Sequence, residues 1–146
     1  MPVDINPSFA GNVNTGSPPV TLGAACTKTA AAGPPDNVST FYTPGANGSK
    51  IEEIVVEATT TTGSSTTIVS SVAGLVFVYM YNGTSYLLID VYTITAITPA
   101  MAGTPPFRLR TVYPNLVVPP GWTLVASQSM AGNANLLVIF ALGGDL

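Results

Sequence analysis

The sequence predicts an all-β fold, an antiparallel two-sheet β-sandwich of jelly-roll-like form with an extended N-terminal arm, and three observations lead there. No stretch of the 146 residues sustains an apolar period of 3.6, and the alanine run Ala30-Ala31-Ala32 is cut off by Gly33-Pro34 before a helical nucleus can form. From Ser39 onward, short apolar segments alternate with polar residues at the period of two that belongs to a half-buried strand. Between these segments stand turn signals, among them Pro44-Gly45-Ala46-Asn47-Gly48, Asn82-Gly83, Pro99 to Pro106 and Pro119-Pro120-Gly121.

Taken in order, residues 1–37 hold Pro2, Pro7, Pro18, Pro19, Pro34 and Pro35, six of the thirteen prolines, and few large apolar side chains. They are expected to form a proline-rich arm, with the sandwich domain spanning residues 38–146. Val20-Thr21-Leu22 is a candidate short strand inside the arm, which proline pairs on either side keep from extending. Two readings follow. In one the arm drapes over a neighbouring subunit or a shell, and in the other Val20 to Leu22 supplies the first strand of the sandwich and the rest is a tail.

Ser39 to Thr43 reads as a short strand closed by the first turn cluster. In the next, Ile54, Val56 and Ala58 share one parity and should face the core, while Glu53, Val55 and Glu57 share the other. The Thr and Ser tract from Thr59 to Thr67 is broken at Gly63, as strand end, loop and strand beginning. Val72 to Tyr81 is the longest apolar run. With Leu75, Phe77 and Tyr79 on one side and Val76, Val78 and Met80 on the other, it needs cover on both faces, from a second sheet or a second subunit. Asn82-Gly83 turns the chain into a return strand that alternates Leu87, Ile89 and Val91 against Leu88, Asp90 and Tyr92.

Phe107 and Leu109 point inward in the following strand, Arg108 and Arg110 outward, and Pro114 breaks the run. After Pro119-Pro120-Gly121, alternation places Trp122, Leu124 and Ala126 on one face, so the core is expected to be built against the single tryptophan. Leu136 to Leu142 is apolar on both faces and ends at Gly143-Gly144-Asp145, read as a chain end. Strand centres at Val20, Phe41, Ile54, Val76, Ile89, Leu109, Trp122 and Val138 give about eight strands, the number of a two-sheet sandwich or jelly roll, with a six- or seven-stranded sandwich and a free arm as the near alternative.

Composition narrows the function. Charged residues make up 8% of the chain, against roughly 25% in ordinary soluble domains. So neutral a surface suits a subunit packed into an assembly, because charge is depleted where surface is buried against a partner. Four Lys and Arg against seven Asp and Glu argue against nucleic acid, whose affinity rests on phosphate neutralisation. No apolar run approaches the ~20 residues of a spanning helix, and the start of the chain has no basic and apolar leader, so no membrane association is expected.

Candidate chemistry is sparse. Without histidine, the usual nucleophilic triads and zinc spacings are absent, and Cys26 has no disulfide partner. Carboxylate catalysis needs two acids converging in a cleft. Glu53 and Glu57 share a strand face about 13 Å apart, too far for a glycosidase pair, which leaves a cross-strand pair such as Glu57 with Asp90. No cofactor or metal is expected. The candidate partner-contact residues are Tyr79, Tyr81, Tyr86 and Tyr92, clustered about one hairpin as a core edge, a subunit interface or an aromatic sugar platform, together with Arg108 and Arg110. The two arginines lie ~6.6 Å apart on one face, suited to carboxylates of a neighbouring strand or subunit.

Gly48-Ser49-Lys50-Ile51-Glu52-Glu53-Ile54, the Leu75 to Val91 hairpin, Gly121-Trp122-Thr123-Leu124-Val125-Ala126-Ser127 and Gly143-Gly144-Asp145, in that order and spacing, resemble small structural proteins of tailed bacteriophages and prophages. The resemblance covers Tyr42 to Leu146 and carries no catalytic residue. It implies a β-sandwich virion component, a capsid decoration or cement protein that sits on the head as a homotrimer, bridges neighbouring capsomers and contacts the major capsid protein. It would be made in the host cytoplasm and located on the capsid surface. A receptor- or glycan-binding head of a tail fibre or spike is the alternative.

Overall fold

The computed structural model of the chain describes residues 12–14, 19–28, 34–62, 65–100, 102–133 and 136–146. Ten strands run through them: β1 (Asn12–Asn14), β2 (Val20–Thr21), β3 (Ser39–Tyr42), β4 (Ser49–Thr62), β5 (Ser65–Ile68), β6 (Gly74–Tyr81), β7 (Tyr86–Ile94), β8 (Arg108–Val118), β9 (Thr123–Gln128) and β10 (Leu137–Asp145). A single 3₁₀ turn, Ala131–Asn133, stands before β10. The expected eight strands are therefore present with two short additions, β1 and β5.

The strands form two antiparallel sheets, and their pairing is nested. β2 pairs with β10, β3 with β9, β4 with β8 and β6 with β7, so that the chain folds as one long double ribbon rolled on itself. Cross-pairing of β4 with β10 and of β6 with β9 completes a first sheet in the order β2-β10-β4-β8 and a second in the order β3-β9-β6-β7. This is the jelly-roll arrangement, an all-β two-sheet sandwich as the alternation predicts. β1 lengthens the outer side of β10, and β5 pairs with the last four residues of β4.

The core lies between the sheets. Ile54, Val56 and Ala58 of β4, Val76, Val78 and Met80 of β6, Leu124 and Ala126 of β9, and Leu137 and Ile139 of β10 fill it, each on the parity that the sequence assigns or leaves open. Phe107 is buried with them and Leu109 packs alongside. Trp122 departs from expectation. It lies just before β9, in the exit of the turn closed by its own N–H on the Pro119 carbonyl at 3.1 Å, and is only half-buried against the core. The largest fully buried side chains are instead the consecutive Tyr42 and Phe41. Two neighbours in a strand point inward together because the register with β9 slips between Thr40 and Tyr42, a bulge that turns Phe41 out of alternation.

Of the expected arm, residues 1–11, 15–18 and 29–33 lie outside the described residues, and those that are described are tied to the sandwich. Val20 pairs with Ile139, the Leu22 N–H donates to the Leu137 carbonyl at 2.8 Å, and the Leu22 side chain is fully buried in the core. The chain then crosses to the other sheet, where the Cys26 N–H donates to the Gln128 carbonyl at 2.7 Å. Buried Gln128 anchors the crossing, its Nε2 donating to the carbonyls of Leu22 and Gly23. Asp36 then accepts from the Cys26 thiol at 2.9 Å, from the Thr27 hydroxyl at 2.5 Å and from the Thr27 N–H at 2.8 Å, which drives its carboxyl well below the usual range.

Gly143-Gly144-Asp145 is the end of β10, paired with Ile51, Lys50 and Ser49. At Gly143, beside a register shift, a Cβ would stand 2.3 Å from the Lys50 carbonyl oxygen, so only glycine fits. Asp145 closes the turn before β4. Its carboxylate accepts from the Ser49 hydroxyl at 2.7 Å and the Gly45 N–H at 3.2 Å, and a Cβ on Gly45 would press against it at 2.6 Å.

Because Leu22 is enclosed by both sheets, Leu22→Ala is expected to cost about 2 to 5 kcal/mol in urea unfolding, while Trp122→Ala, starting from a half-buried ring, should fall at or below the lower end of the ~3 to 5 kcal/mol typical of buried aromatics. A Leu22→Ala variant as stable as the parent would mean that β2 is not part of the core.

Candidate functional site

The two sheets present different outer faces. On the first, residues of β4 and β8 that share a register position share a face, so Glu57 stands opposite Arg108, and Arg110 stands opposite Val55 with Glu53 one diagonal away. Arg110 grips Glu53 with both arms of its guanidinium, Nε on Oε1 and Nη2 on Oε2 at 2.8 Å. Arg108 Nε lies 3.5 Å from Glu57 Oε2. The hydrogen bonds from Arg110 hold Glu53 below its ordinary value and raise Arg110 in return. Of the two expected uses, carboxylates of a neighbouring strand or of another subunit, the arginines serve the neighbouring strand. Such exposed pairs contribute little to stability, but they neutralise this face within the chain.

The second sheet has almost no charge. β3, β6 and β9 contain none, and β7 contains only Asp90. Asp90 pairs with core-facing Val78, so it too points inward and the outer face is charge-free. Tyr79, Tyr81 and Tyr86 gather on that outer face. Tyr81 and Tyr86 are register partners stacked with ring centroids 4.4 Å apart, and Tyr79 meets Tyr86 edge-on at 6.0 Å. Tyr79 is buried, next to Ser127 and the Cys26 segment, whereas Tyr81 and Tyr86 are half-exposed beside the turn. There the Tyr81 hydroxyl donates to the Gly83 carbonyl at 2.7 Å, and the Asn82 side chain accepts from the N–H groups of Thr84 and Ser85. Leu75, Leu88 and Val91 complete the face, exposed by 37%, 44% and 40%.

Tyr92 does not join the other tyrosines. It is register partner to Val76, on the core side, and is buried. Its hydroxyl meets that of Tyr113 of β8, whose proton goes to Asp90 Oδ2 at 2.6 Å, which leaves Tyr92 as the donor between the two phenols. The chain Tyr92, Tyr113, Asp90 thus ties β7 of the second sheet to β8 of the first. Sequence reading considered Asp90 only as a cross-strand partner of Glu57 and passed over Tyr113. The available signal was a lone carboxylate inside Leu87-Leu88-Ile89-Asp90-Val91, which demands a donor once buried. Burial, and then the hydrogen bond to Asp90, push the Tyr113 phenol far up, and burial raises Tyr92.

The carboxylates do not converge. Glu57 lies on the outer face of the first sheet and Asp90 on the inner face of the second, so the pair left open for hydrolysis does not line a common cleft. Among the described residues, no group of three or more His, Cys, Asp or Glu side chains is placed to hold a metal ion, and no helix is long and apolar enough to cross a membrane. An open groove lies elsewhere, between Thr67 and Ile68 of β5 and the loop from Pro99 to Pro106, and none of the described residues that line it is charged. Comparison of the chain with protein-family models, curated proteins and solved structures gave no match.

The two inward phenols set an alkaline limit. Folding raises both above the ordinary tyrosine value of 10.0, so the fold favours their neutral forms, and the associated stability is complete below pH 10.0 and is lost as pH rises beyond it. Tyr113→Phe, which leaves Asp90 short of its phenolic donor, is expected to cost about 1 to 3 kcal/mol at neutral pH. In urea unfolding at roughly pH 8 and roughly pH 11, the variant should also lose less stability between the two conditions than the parent does. Equal losses would place the titration elsewhere.

Proposed function

We propose that this chain is a non-enzymatic structural subunit of a virus particle, a capsid decoration or cement protein that binds and stabilises the head of a tailed phage. The observation that carries the reading is the outer face of the second sheet, free of charge and exposing Leu75, Leu88 and Val91 beside an aromatic cluster. Such a surface suits burial against a partner, and an 8% charge content is low for a chain that works alone in water. The resemblance of Gly48 to Ile54, the Leu75 to Val91 hairpin and Gly121 to Ser127 to phage structural proteins supplies the particle. Jelly rolls serve as capsid and lectin modules alike, so the fold agrees with this role without singling it out. The partners are further copies of the chain, as a homotrimer on the capsid surface, and the major capsid protein. Synthesis is in the host cytoplasm.

A second reading, the glycan- or receptor-binding head of a tail fibre or spike, draws on one observation. The stacked pair Tyr81 and Tyr86 is half-exposed at a hairpin tip, where a sugar ring can lie on an aromatic face. Copy number separates the two. Mass-spectrometric quantification of purified particles is expected to find hundreds of copies per particle. A few to a few dozen would assign the chain to the tail, and absence from particles would overturn both.

A further inference from the structure

Resting on the assembly reading, we infer that the β6–β7 half of the second sheet's outer face is the surface on which copies of this chain meet one another. The edges of the sandwich are poor places for such contact. Among the described residues β1, β2, β3 and β5 have four residues or fewer, β8 carries Pro114 with Arg108 and Arg110, and β7 is bulged next to Ile89 and holds the inward-pointing Asp90. Short strands, proline, basic residues, bulges and inward charges are the devices by which proteins discourage edge pairing. These devices guard edges, and they leave the outer face of β6 and β7 open. Leu75, Phe77, Leu88, Val91 and the stacked pair Tyr81 and Tyr86 stand on it, and the one charged residue of the two strands, Asp90, points to the other side.

The face is open only in part. Towards β9, the outward residues Val125 and Ser127 are each 1% exposed, so that half is already covered by the chain itself. What remains is two strands of eight and nine residues. At about 3.3 Å per residue and ~5 Å between strands, this is a patch on the order of 300 Å² in projection. A patch of that size equals the largest on a typical monomer, which is often functional, and two of them covering each other fall among weak, reversible interfaces.

Charge complementarity selects the occupant. A charge-free patch accepts only a surface that brings no unpaired charge into it, because a buried lone charge is costly. This chain offers such a surface in the same patch of another copy, whereas its first sheet presents two Arg–Glu pairs outward. Two copies of one patch that cover each other are related by a twofold axis, so this contact joins copies in pairs, and the proposed homotrimer needs a further, heterologous contact. Weak pairwise contacts of this kind gain strength when many copies are held side by side on one lattice.

The test is sedimentation velocity of the full chain over a concentration series from roughly 1 µM to roughly 1 mM, for the parent and for Leu88→Glu, Val91→Glu and Val112→Glu. Val112 is 73% exposed on the outer face of the first sheet, so its variant controls for added charge alone. Circular dichroism and urea unfolding verify that all three fold. The parent is expected to associate reversibly, the Leu88 and Val91 variants to weaken association at least tenfold, and the Val112 variant to match the parent. Association unaffected by Leu88→Glu and Val91→Glu overturns the assignment of the face. A monomeric parent throughout the series overturns the second copy as occupant, and if Val91→Glu protein is also lost from particles, the patch belongs to a different virion partner. Copies per particle decide the proposed function separately.

Discussion

Strand β4 is hydrogen-bonded on both sides, by β10 from Ser49 to Ala58 and by β8 from Ser49 to Glu57, and the rest of the sandwich follows from that double pairing. With neighbours on both flanks, its backbone groups are satisfied and its register is fixed twice over. A slip of one residue would move Ile54, Val56 and Ala58 out of the core and Glu53, Val55 and Glu57 into it. The cost of burying two carboxylates forbids this. The same register lines up Arg108 and Arg110 with those carboxylates, so the charge pairing on the outer face is a consequence of the burial on the inner one. The shift opposite Gly143 completes the arrangement, because a side chain there would collide with the backbone of β4 and part the two strands.

The distribution of charge gives the molecule two unlike sides. The first sheet pairs Glu53 and Glu57 with its own arginines and carries these charges outward beside the exposed Val112, Val117 and Leu142. The second sheet spends its one charged residue inside, bonded to Tyr113, and leaves an apolar and aromatic face outside. The physical case for an assembled subunit therefore rests on where the few charges are, more than on how few there are.

Polar groups inside the sandwich act as ties between elements that hydrophobic contact alone would hold loosely. Tyr113 joins the β7 and β8 edges, and Gln128 holds the crossing from β2 to the second sheet at the opposite side. Asn133 adds a third tie, donating to the Val72 carbonyl and accepting from the Val72 N–H, each at 2.7 Å. Each fixes a long-range contact by directional bonding, and together they specify how the ribbon closes, since apolar packing tolerates many arrangements.

The sequence by itself determined the strands, their turns and most of their parity, because period-two burial and the backbone demands of Gly, Pro and Asn are local effects written within a few residues. Ile54, Val56 and Ala58, the Val76 to Met80 face and the hairpin at Asn82-Gly83 were legible on those grounds. Tertiary structure alone decided that Leu22 is core although it sits among prolines, that Phe41 and Tyr42 both point inward, that Trp122 is less central than they are, and that Tyr92 parts from the other tyrosines. It also decided which acids Arg108 and Arg110 would meet. All of these turn on bulges and on pairings between residues about 50 to 120 positions apart. A shift of one residue in such a pairing reverses the side a chain presents, and no local propensity records it.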